Sequence, residues 1–369
     1  MKIICNQKIL SQKITVVQKA ISNKTNSDIL KGILLSAKDN LLKLTGYDLE
    51  IAIQTKIENI EILKEGSIVI NSRLFGDILK KLPNTLIEIE VLNNNMVIIK
   101  YENSQFEIKG EPSNEYPDLP KIKSNDKYSL SKNALKNMIK QTVCAVSTDT
   151  TKPVLTGELL ELSDNKISLV AIDGYRLAVR SYDLLDFEYN NKTIIPGKSL
   201  NDLNSLLTDD GNISVEFNDK YAIFNLDDTI IVTRVLEGDF IDYKKLIPKE
   251  YNTKILIKTK EFSESIERAS LLSMSSTNKN NLIKLIIKSN NLIITSNSDQ
   301  GNIYENINCA LEGDELQIAF NCKYLIDGIK NIDSEEITLE FTTNINPCII
   351  KPVDDTEYTY LILPVRSSN

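Results

Sequence analysis

The chain has 369 residues, of which 41% are hydrophobic and 25% are charged, and its formal net charge is −8. That length predicts two to three domains of about 100–200 residues each, and the composition is ordinary for a folded protein. The sequence has no histidine, which excludes Ser-His-Asp and Cys-His relays, histidine-ligated zinc or haem, and histidine acid–base catalysis. It also has no GxGxxG or GxxxxGK[ST] nucleotide-binding motif. We therefore expect a binding protein without a metal or cofactor.

The first twenty residues interrupt every apolar stretch with lysine, and no run approaches the roughly 20 apolar residues of a membrane span. We expect a cytoplasmic protein that does not enter a membrane. Its cysteines are scattered, without a CxxC pair, which favours buried, reduced thiols over a metal site or disulfides. They are Cys5, Cys144, Cys309, Cys322 and Cys348.

Taken in chain order, apolar residues at helical spacing predict one amphipathic helix near the start of each of three successive segments. The apolar faces are Leu10, Ile14, Val17 and Ile21; then Leu135, Ile139 and Val143; then Phe262, Ile266 and Ala269.

A hairpin pattern follows each predicted helix. It consists of an apolar run, a polar turn built on Asp or Asn, and a second apolar run that leads to an Asp-containing loop, and its β-branched, alternating character predicts strands. The three copies are "GILLSAKDNLLKLTGYDLEIAI" (32–53), "GELLELSDNKISLVAIDGYRLAV" (157–179) and "KLIIKSNNLIITSNSDQGNIYENI" (284–307).

A second repeated pattern passes from a strand into a short helix, and it occurs at 67–83, 192–207 and 316–332. In these copies Leu74, Leu200 and Tyr324 open the helix. The chain thus predicts an α+β fold of three repeated modules, 1–122, 127–248 and 252–369, separated where Pro and Lys cluster. On pattern alone, three β-rich domains without special geometry remain an alternative.

The predicted helices hold most of the positive charge. The six helical segments sum to +11 and the rest of the chain to −19. They are 8–25, 72–81, 127–142, 197–207, 258–268 and 322–331. Lysines opposite an apolar stripe can be an ordinary solvated face, but a shared basic surface would attract a polyanion regardless of sequence. Aromatic residues are not interleaved with the lysines, so duplex backbone is favoured over single strands.

Three short segments resemble the bacterial sliding clamp, the β subunit of the replicative DNA polymerase III. They are "AIDGYRLAV" (171–179), "GDFIDYKKLIP" (238–248) and the terminal "YLILPVR" (360–366). The resemblance implies clamp-type modules, each with two helices packed on β-sheets. Two subunits would close a ring around duplex DNA, with helices lining the hole. Such a homodimer tethers the polymerase and serves the clamp loader and other proteins with a clamp-binding motif, without catalysis.

The resemblance also implies a pocket for a short partner peptide, built from the middle module and the tail. Its residues are Ile172, Gly174, Tyr175, Arg176, Leu177, Ile241, Lys245, Leu246, Tyr324, Leu361, Leu363, Pro364, Val365 and Arg366. An apolar pocket with a few polar groups suits peptide recognition. Alternatively, Leu361 and Leu363 are one face of an ordinary core strand, and strand alternation allows both roles at once.

The chain departs from the family pattern within this pocket. Ile172 stands where a hydroxyl residue is common, Ile241 where proline is frequent, and Lys245 where arginine is frequent. Because lysine lacks the planar fork of arginine, the preference among peptides should differ in detail. Three residues, Ser367 to Asn369, extend past Arg366.

The resemblance implies DNA contacts at Lys24, Arg73, Lys152 and Lys198, and the basic helix adds Lys136 and Lys140. Asp149 lies in the same loop as Lys152, where an acid is unexpected.

For the subunit interface, the resemblance implies Phe106 and Ile108 on an edge strand of the first module. Leu271 and Leu272, at the end of the helix in the third module, would form the other half. Pairing an edge strand across a dimer satisfies backbone groups that are otherwise exposed.

Two other functions fit parts of the sequence. One is a protein-interaction scaffold that does not bind DNA. The other is a carboxylate enzyme that uses Asp173 with Asp242, or Asp48 with Glu50. These acids lie in no recognisable catalytic motif, and a turn explains Asp173 beside Gly174 equally well.

Overall fold

The fold is that of a computed structural model, which describes residues 1–22, 25–120, 127–184, 190–275 and 281–366. Over these ranges it has six α-helices: α1 Gln7–Val17, α2 Ser72–Lys81, α3 Lys132–Thr142, α4 Gly197–Asn204, α5 Thr259–Ser275 and α6 Cys322–Ile329. Short 3-10 helices occupy Gln18–Ala20, Asp28–Lys31, Ser113–Glu115, Val143–Ala145, Pro153–Thr156 and Tyr243–Lys245. None of the helices within these ranges is both long and apolar enough to cross a bilayer.

The described chain has more residues in β-strands than in helices. The first ten strands are β1 Lys2–Asn6, β2 Gly32–Lys38, β3 Leu41–Tyr47, β4 Ile51–Glu58, β5 Glu61–Lys64, β6 Gly66–Asn71, β7 Leu86–Val91, β8 Met96–Tyr101, β9 Ser104–Glu111 and β10 Tyr128–Ser131. The next seven are β11 Gly157–Ser163, β12 Lys166–Ile172, β13 Arg176–Asp183, β14 Asn191–Pro196, β15 Asn212–Phe217, β16 Tyr221–Leu226 and β17 Thr229–Arg234. The last nine are β18 Thr253–Lys258, β19 Leu282–Lys288, β20 Asn291–Ser298, β21 Gly301–Asn308, β22 Ala310–Gly313, β23 Leu316–Asn321, β24 Glu336–Phe341, β25 Cys348–Pro352 and β26 Tyr358–Ile362.

The helix faces predicted from apolar spacing form, but two predicted helices are one turn too long. Helix α1 ends at Val17 and tightens into a 3-10 turn, so Ile21 has extended backbone with φ −109° and ψ 119°. Likewise Val143 lies in the 3-10 helix that follows α3. Terminal 3-10 turns of this kind are common, and apolar spacing alone does not reveal them.

The predicted hairpins are confirmed. In the first, β2 pairs antiparallel with β3 and Lys38 faces Leu41, while Asp39 and Asn40 adopt φ values of 53° and 57°. Asp164 and Asn165 do the same in the second, with φ of 54° and 59°. Two successive residues with positive φ match the twist of a tight hairpin, and Asn and Asp tolerate this conformation.

The chain divides into two compact units. The first unit comprises Met1–Lys132 and Ser205–Val235. Its described strands form one sheet in the order β10-β15-β16-β17-β4-β3-β2-β6-β9-β8-β7-β1-β5. Strand β17 belongs to the predicted second module and β4 to the first, so their antiparallel pairing makes the sheet continuous between two predicted modules. Helices α1 and α2 pack against each other in this unit.

The second unit comprises Asn133–Asn204 and Leu236–Asn369. Its described strands form a sheet in the order β14-β11-β12-β13-β26-β25-β24-β18-β22 and a smaller sheet in the order β21-β20-β19-β23. In the larger sheet, β13 pairs antiparallel with β26, which joins the predicted second and third modules.

The two faces of the larger sheet bury different clusters. Tyr360 and Ile362 pack into a core that includes Phe262 of α5 and Leu325 of α6. Leu361, which lies between them, packs into a separate cluster. Strand alternation explains the division, and each fully buried side chain of this size contributes about 1.5–3 kcal/mol.

The described thiols are buried or half-buried and free. Burial raises the pKa of Cys5 to about 12 and that of Cys144 to about 11. These thiols therefore stay protonated near neutral pH and are poor nucleophiles.

One carboxyl group, that of Glu158 at the start of β11, is fully buried. Thr142 hydrogen-bonds its Oε2, while its Oε1 has no hydrogen-bond partner in the structure. The Thr142 hydroxyl also donates to the Met138 carbonyl at 2.8 Å, so a protonated Glu158 can donate to the Thr142 oxygen. Burial raises the pKa of Glu158 to about 8.

This shift predicts a pH-dependent stability. The folded protein holds the Glu158 proton up to a pH of about 8, whereas an unfolded glutamate loses it near pH 4.3. The stabilisation is complete below the unfolded pKa and is lost as pH rises through the folded value. Glu158→Gln, which mimics the neutral acid, should flatten the pH profile and be more stable than wild type at pH 9 by roughly 2 kcal/mol or more.

Urea unfolding at pH 5, 7 and 9 measures this difference. Parallel pH profiles for wild type and Glu158→Gln would contradict a neutral buried carboxyl.

Candidate functional site

The pairing of β13 with β26 brings two distant segments together. Leu177 lies opposite Leu361, and Arg176 lies opposite Ile362. The "DGYRLA" segment and the terminal "LILPVR" segment thus share one sheet. We call the surface formed by Ile172, Gly174–Leu177, Tyr324, Leu361 and Leu363–Arg366 the candidate groove.

A tight turn at 173–176 presents the most exposed aromatic of this surface. Asp173 Oδ1 accepts hydrogen bonds from the backbone N–H groups of Tyr175 (2.9 Å) and Arg176 (3.0 Å). Gly174 has φ +91°, a conformation that side chains rarely adopt. The turn leaves Tyr175 61% exposed, with its ring 6.0 Å from that of Tyr324.

Two backbone hydrogen bonds hold the tail after β26. The N–H of Leu363 donates to the carbonyl of Tyr175, and the N–H of Val365 donates to the carbonyl of Ala319, each at 2.8 Å. The tail is therefore fixed to the turn before β13 and to β23, while Leu363 and Val365 stay exposed. It also borders a hollow of about 580 Å³, lined by Lys284, Gln317, Ile318, Ala319, Asn344, Ile345, Pro364, Val365 and Arg366.

Strand alternation lets the tail strand serve core and surface together. Leu361 is buried, whereas Leu363, on the same face, is 39% exposed. The structure brings Ile172, Leu177 and Leu361 into one buried cluster.

That cluster includes Leu155 and Tyr243, which the sequence analysis did not select. Leu155 lies in the 3-10 helix Pro153–Thr156, and Tyr243 donates a 2.8 Å hydrogen bond to Glu161. An aromatic inside the charged "DYKK" run was the available signal for Tyr243.

The segment that carries Tyr243 exposes the remaining predicted pocket residues. Ile241 and Leu246 are exposed apolar side chains. Lys245 forms an exposed ion pair with Asp242 at 2.9 Å, and this contact lowers the pKa of Asp242.

Arg176 differs from the other charged pocket residues, Lys245 and Arg366, because they are exposed and it is only 7% exposed. Its guanidinium contacts Asp173 at 3.0 Å and Asp327 at 2.7 Å, and it lies 4.4 Å from the centre of the Tyr324 ring. Asp327 was not selected from the sequence, since nothing local links it to Arg176.

Four of the predicted DNA-contacting residues have exposed side chains in the structure: Arg73, Lys140, Lys152 and Lys198. Lys136 is half-buried. Lys24 lies outside the described residues. Asp149, in the loop with Lys152, accepts hydrogen bonds from the N–H and hydroxyl of Thr151, so a turn accounts for this acid.

The helical positive charge is less available than the residue count indicated. Lys13 forms an ion pair with Asp228. Lys132, whose side chain is buried, forms one with Asp227 at 2.6 Å. Both acids lie in the β16–β17 turn, so two lysines of the predicted basic surface are already neutralised.

The predicted interface residues lie on strand β9 and near the end of helix α5. In the described structure, residues 104–109 of β9 pair with β8 alone. Phe106 is exposed there and stacks 6.1 Å from Tyr101, whereas Ile108 is already buried within the chain.

On the third module, β21 is an edge of its described sheet. Leu271 of α5 is 71% exposed and Leu272 is half-buried. Tyr304 of β21, 65% exposed, was missed because the strand pattern did not say which edge is free. Arg268 binds Glu305 through two hydrogen bonds of 2.8 and 2.7 Å, which fixes α5 on β21.

Two acids of the alternative carboxylate enzyme, Asp173 and Asp48, have structural roles. Asp173 caps the turn described above, and Asp48 Oδ1 accepts from the N–H groups of Glu50 and Ile51. Among the described residues, no group of three or more Asp, Glu or Cys side chains could hold a metal ion.

Family models match the chain in three successive stretches. The N-terminal domain of the DNA polymerase III beta subunit matches residues 1–120, the central domain 129–242, and the C-terminal domain 244–366.

Whole-chain relatives agree. A beta sliding clamp from Staphylococcus epidermidis is 39% identical over 95% of both chains. One from Bacillus subtilis is 36% identical over the full length of both. The crystal structure of the Bacillus subtilis DNA polymerase sliding clamp covers both chains completely with a TM-score of 0.96 at 35% identity. The chain therefore belongs to the family of DNA polymerase III beta subunits, the sliding clamps.

Proposed function

We propose that the chain functions as a DNA sliding clamp, a ring-shaped homodimer that encircles duplex DNA and tethers the replicative polymerase. The observation that carries this function is the succession of the three family domains over residues 1–120, 129–242 and 244–366. The protein is a processivity factor and not an enzyme. Its partners are duplex DNA, a second copy of itself, the polymerase III catalytic subunit, the clamp loader and other clamp-binding proteins.

We propose three modules at 1–122, 127–248 and 252–369, a division that the matched family ranges support. We also propose a cytoplasmic location, because the DNA of a bacterial cell lies there.

The candidate groove is our proposed docking site for partner peptides. Exposed apolar side chains on a tail that two backbone hydrogen bonds fix support this role, because a preorganised site loses little conformational entropy on binding. Leu155 and Tyr243 complete the proposed pocket through their shared cluster with Leu177.

The exposed cations Arg73, Lys140, Lys152 and Lys198 are our proposed phosphate contacts, with Lys136 at the margin. Lys24 remains a prediction outside the described residues. Phosphate contacts of this kind hold duplex DNA without reading its sequence.

For the dimer, we propose that the β9 edge of one subunit meets the β21 edge and the end of α5 of the other. The unpaired side of β21 and of residues 104–109 of β9 in the described structure supports this arrangement. Because Ile108 is already buried, its strand would contribute backbone groups, while Phe106, Leu271 and Tyr304 would contribute side-chain area.

A first experiment tests topological linkage. After loading onto nicked circular duplex, the protein should remain bound in 0.5 M salt and dissociate when the circle is cut, because a closed ring needs no ionic contact to stay linked. Gel filtration of labelled DNA measures retention. Equal loss from circular and linear DNA at that salt concentration would indicate simple charge-based binding.

A second experiment tests the dimer edge. Leu271→Glu should yield monomers on dilution, since losing a central apolar contact and burying a charge in its place costs about 2 kcal/mol or more. The Leu271 side chain is 71% exposed in the single chain. Leu49→Glu, at an exposed position of the first unit, is the matched control. Light scattering measures the oligomeric state. A Leu271→Glu variant that is as dimeric as wild type at nanomolar concentration would exclude this edge from the dimer interface.

A third experiment tests the groove. Leu363→Asp, and truncation after Ile362, should both lower the affinity for a peptide carrying Gln, Leu and an aromatic by roughly a hundredfold, because a few buried anchors dominate such contacts. Val353→Asp, at an exposed position outside the groove, should bind like wild type. Calorimetry measures the affinities, and unchanged binding by both groove variants would place the peptide elsewhere.

A further inference from the structure

Arg176 belongs to a different layer from the apolar part of the candidate groove. Its neighbour Leu177 packs with Leu155 and Leu361, and successive side chains of a strand point to opposite faces. Consistent with this alternation, Arg176 contacts Tyr324 and Asp327, both on α6. The guanidinium therefore lies on the helix side of the sheet.

The guanidinium of Arg176 hydrogen-bonds to carboxylates inside the protein. Its Nε donates to Asp173 Oδ2 at 3.0 Å, and its Nη1 donates to Asp327 Oδ2 at 2.7 Å. The side chains of Arg176 and both aspartates are at most 14% exposed. A buried guanidinium needs such partners, because an unpaired buried charge is strongly destabilising.

Asp327 is held by two cations. Its other oxygen, Oδ1, accepts from Lys330 Nζ at 2.6 Å. Burial alone would raise the pKa of Asp327, but the hydrogen bonds from Arg176 and Lys330 hold it below the ordinary value. The carboxylate is therefore ionised at neutral pH and gives Arg176 a fixed partner on α6.

The Arg176–Asp327 ion pair connects two walls of the candidate groove, the 173–176 turn and helix α6. Asp173 caps the turn that carries Tyr175, and the Tyr175 carbonyl holds the N–H of Leu363. On the other wall, Tyr324 is held through its carbonyl by the Tyr360 hydroxyl at 2.8 Å. Arg176 spans these walls, since it binds Asp173 of the turn and Asp327 of the helix.

We propose that Asp327 and Arg176 are a positioning pair for partner-peptide binding, which sets the 173–176 turn against Tyr324 without either side chain touching the peptide. This inference rests on the proposed function of the groove. It gives Arg176 a different role from the direct peptide contact that the family resemblance implies, and it adds Asp327.

The test is a double-mutant cycle of Asp327→Asn and Arg176→Gln. Because the chain has no tryptophan, the fluorescence anisotropy of a tryptophan-containing Gln-Leu-aromatic peptide reports binding without background. Each single variant should bind about tenfold more weakly, which is within the usual range of coupling between sites. The double variant should be no weaker than the weaker single variant, because both changes break the same link.

Lys330→Ala is the matched control, since it removes the other partner of Asp327 and leaves Arg176 paired. Its affinity should stay within twofold of wild type. Amide hydrogen exchange distinguishes local loosening of the tail from a general loss of stability. The Leu363 amide should exchange faster in Asp327→Asn than in Lys330→Ala at equal melting temperature.

Several results would overturn the positioning role. If Arg176 touched the peptide directly, Arg176→Gln would weaken binding while Asp327→Asn bound as tightly as wild type or more tightly. Equal weakening by Lys330→Ala would indicate general loosening of α6. If Asp327→Asn does not fold, Asp327→Glu replaces it and should also weaken binding, and wild-type affinity in that variant contradicts the proposal.

The same assay separates this inference from the groove itself. A wild-type protein that binds the peptide no better than Leu363→Asp would overturn the proposed docking site and the positioning pair together. Normal wild-type binding with an unaffected Asp327→Asn would overturn only the pair.

Discussion

The antiparallel ladder between β13 and β26 is the constraint on which the candidate groove depends. It pairs Leu177 with Leu361 and Arg176 with Ile362. This register therefore decides which side chains face the helices and which face the cluster on the other side of the sheet. A slip of one residue would exchange the two sets. The polar network of Arg176 and the apolar surface near Leu361 are thus two results of one register.

Packing around this ladder leaves little room for change. A Cβ on Gly328 would lie 2.4 Å from the ring of Tyr360, so α6 approaches β26 as closely as only glycine permits. Tyr358 adds a hydrogen bond to the Gly328 carbonyl at 3.0 Å. Close packing of this kind holds Tyr324 and Asp327 at a fixed height above the sheet.

Local pattern was sufficient for the hairpins and the buried helix faces. The Asp-Asn turns at 39–40 and 164–165 and the buried Phe262 and Ile266 follow from neighbours within a few residues. Local pattern could not predict the ion pairs, because their partners are distant in sequence. Lys13 and Asp228 are 215 residues apart, and Arg176 and Asp327 are 151 residues apart. Charge counting therefore overstated the free positive charge and missed the partner of Arg176. Only the resemblance linked the tail to the middle segment.

The β9 edge has a consequence for the single chain before it meets a second one. Its exposed residues include Glu107 and Lys109 beside Phe106, and Lys109 forms an ion pair with Glu111 at 3.4 Å. Charged side chains on a free strand discourage indiscriminate edge-to-edge association. A single chain can therefore keep the hydrogen-bonding groups of this edge open to water without seeding aggregates. In the proposed dimer, the facing strand must offer compatible charges as well as a compatible backbone.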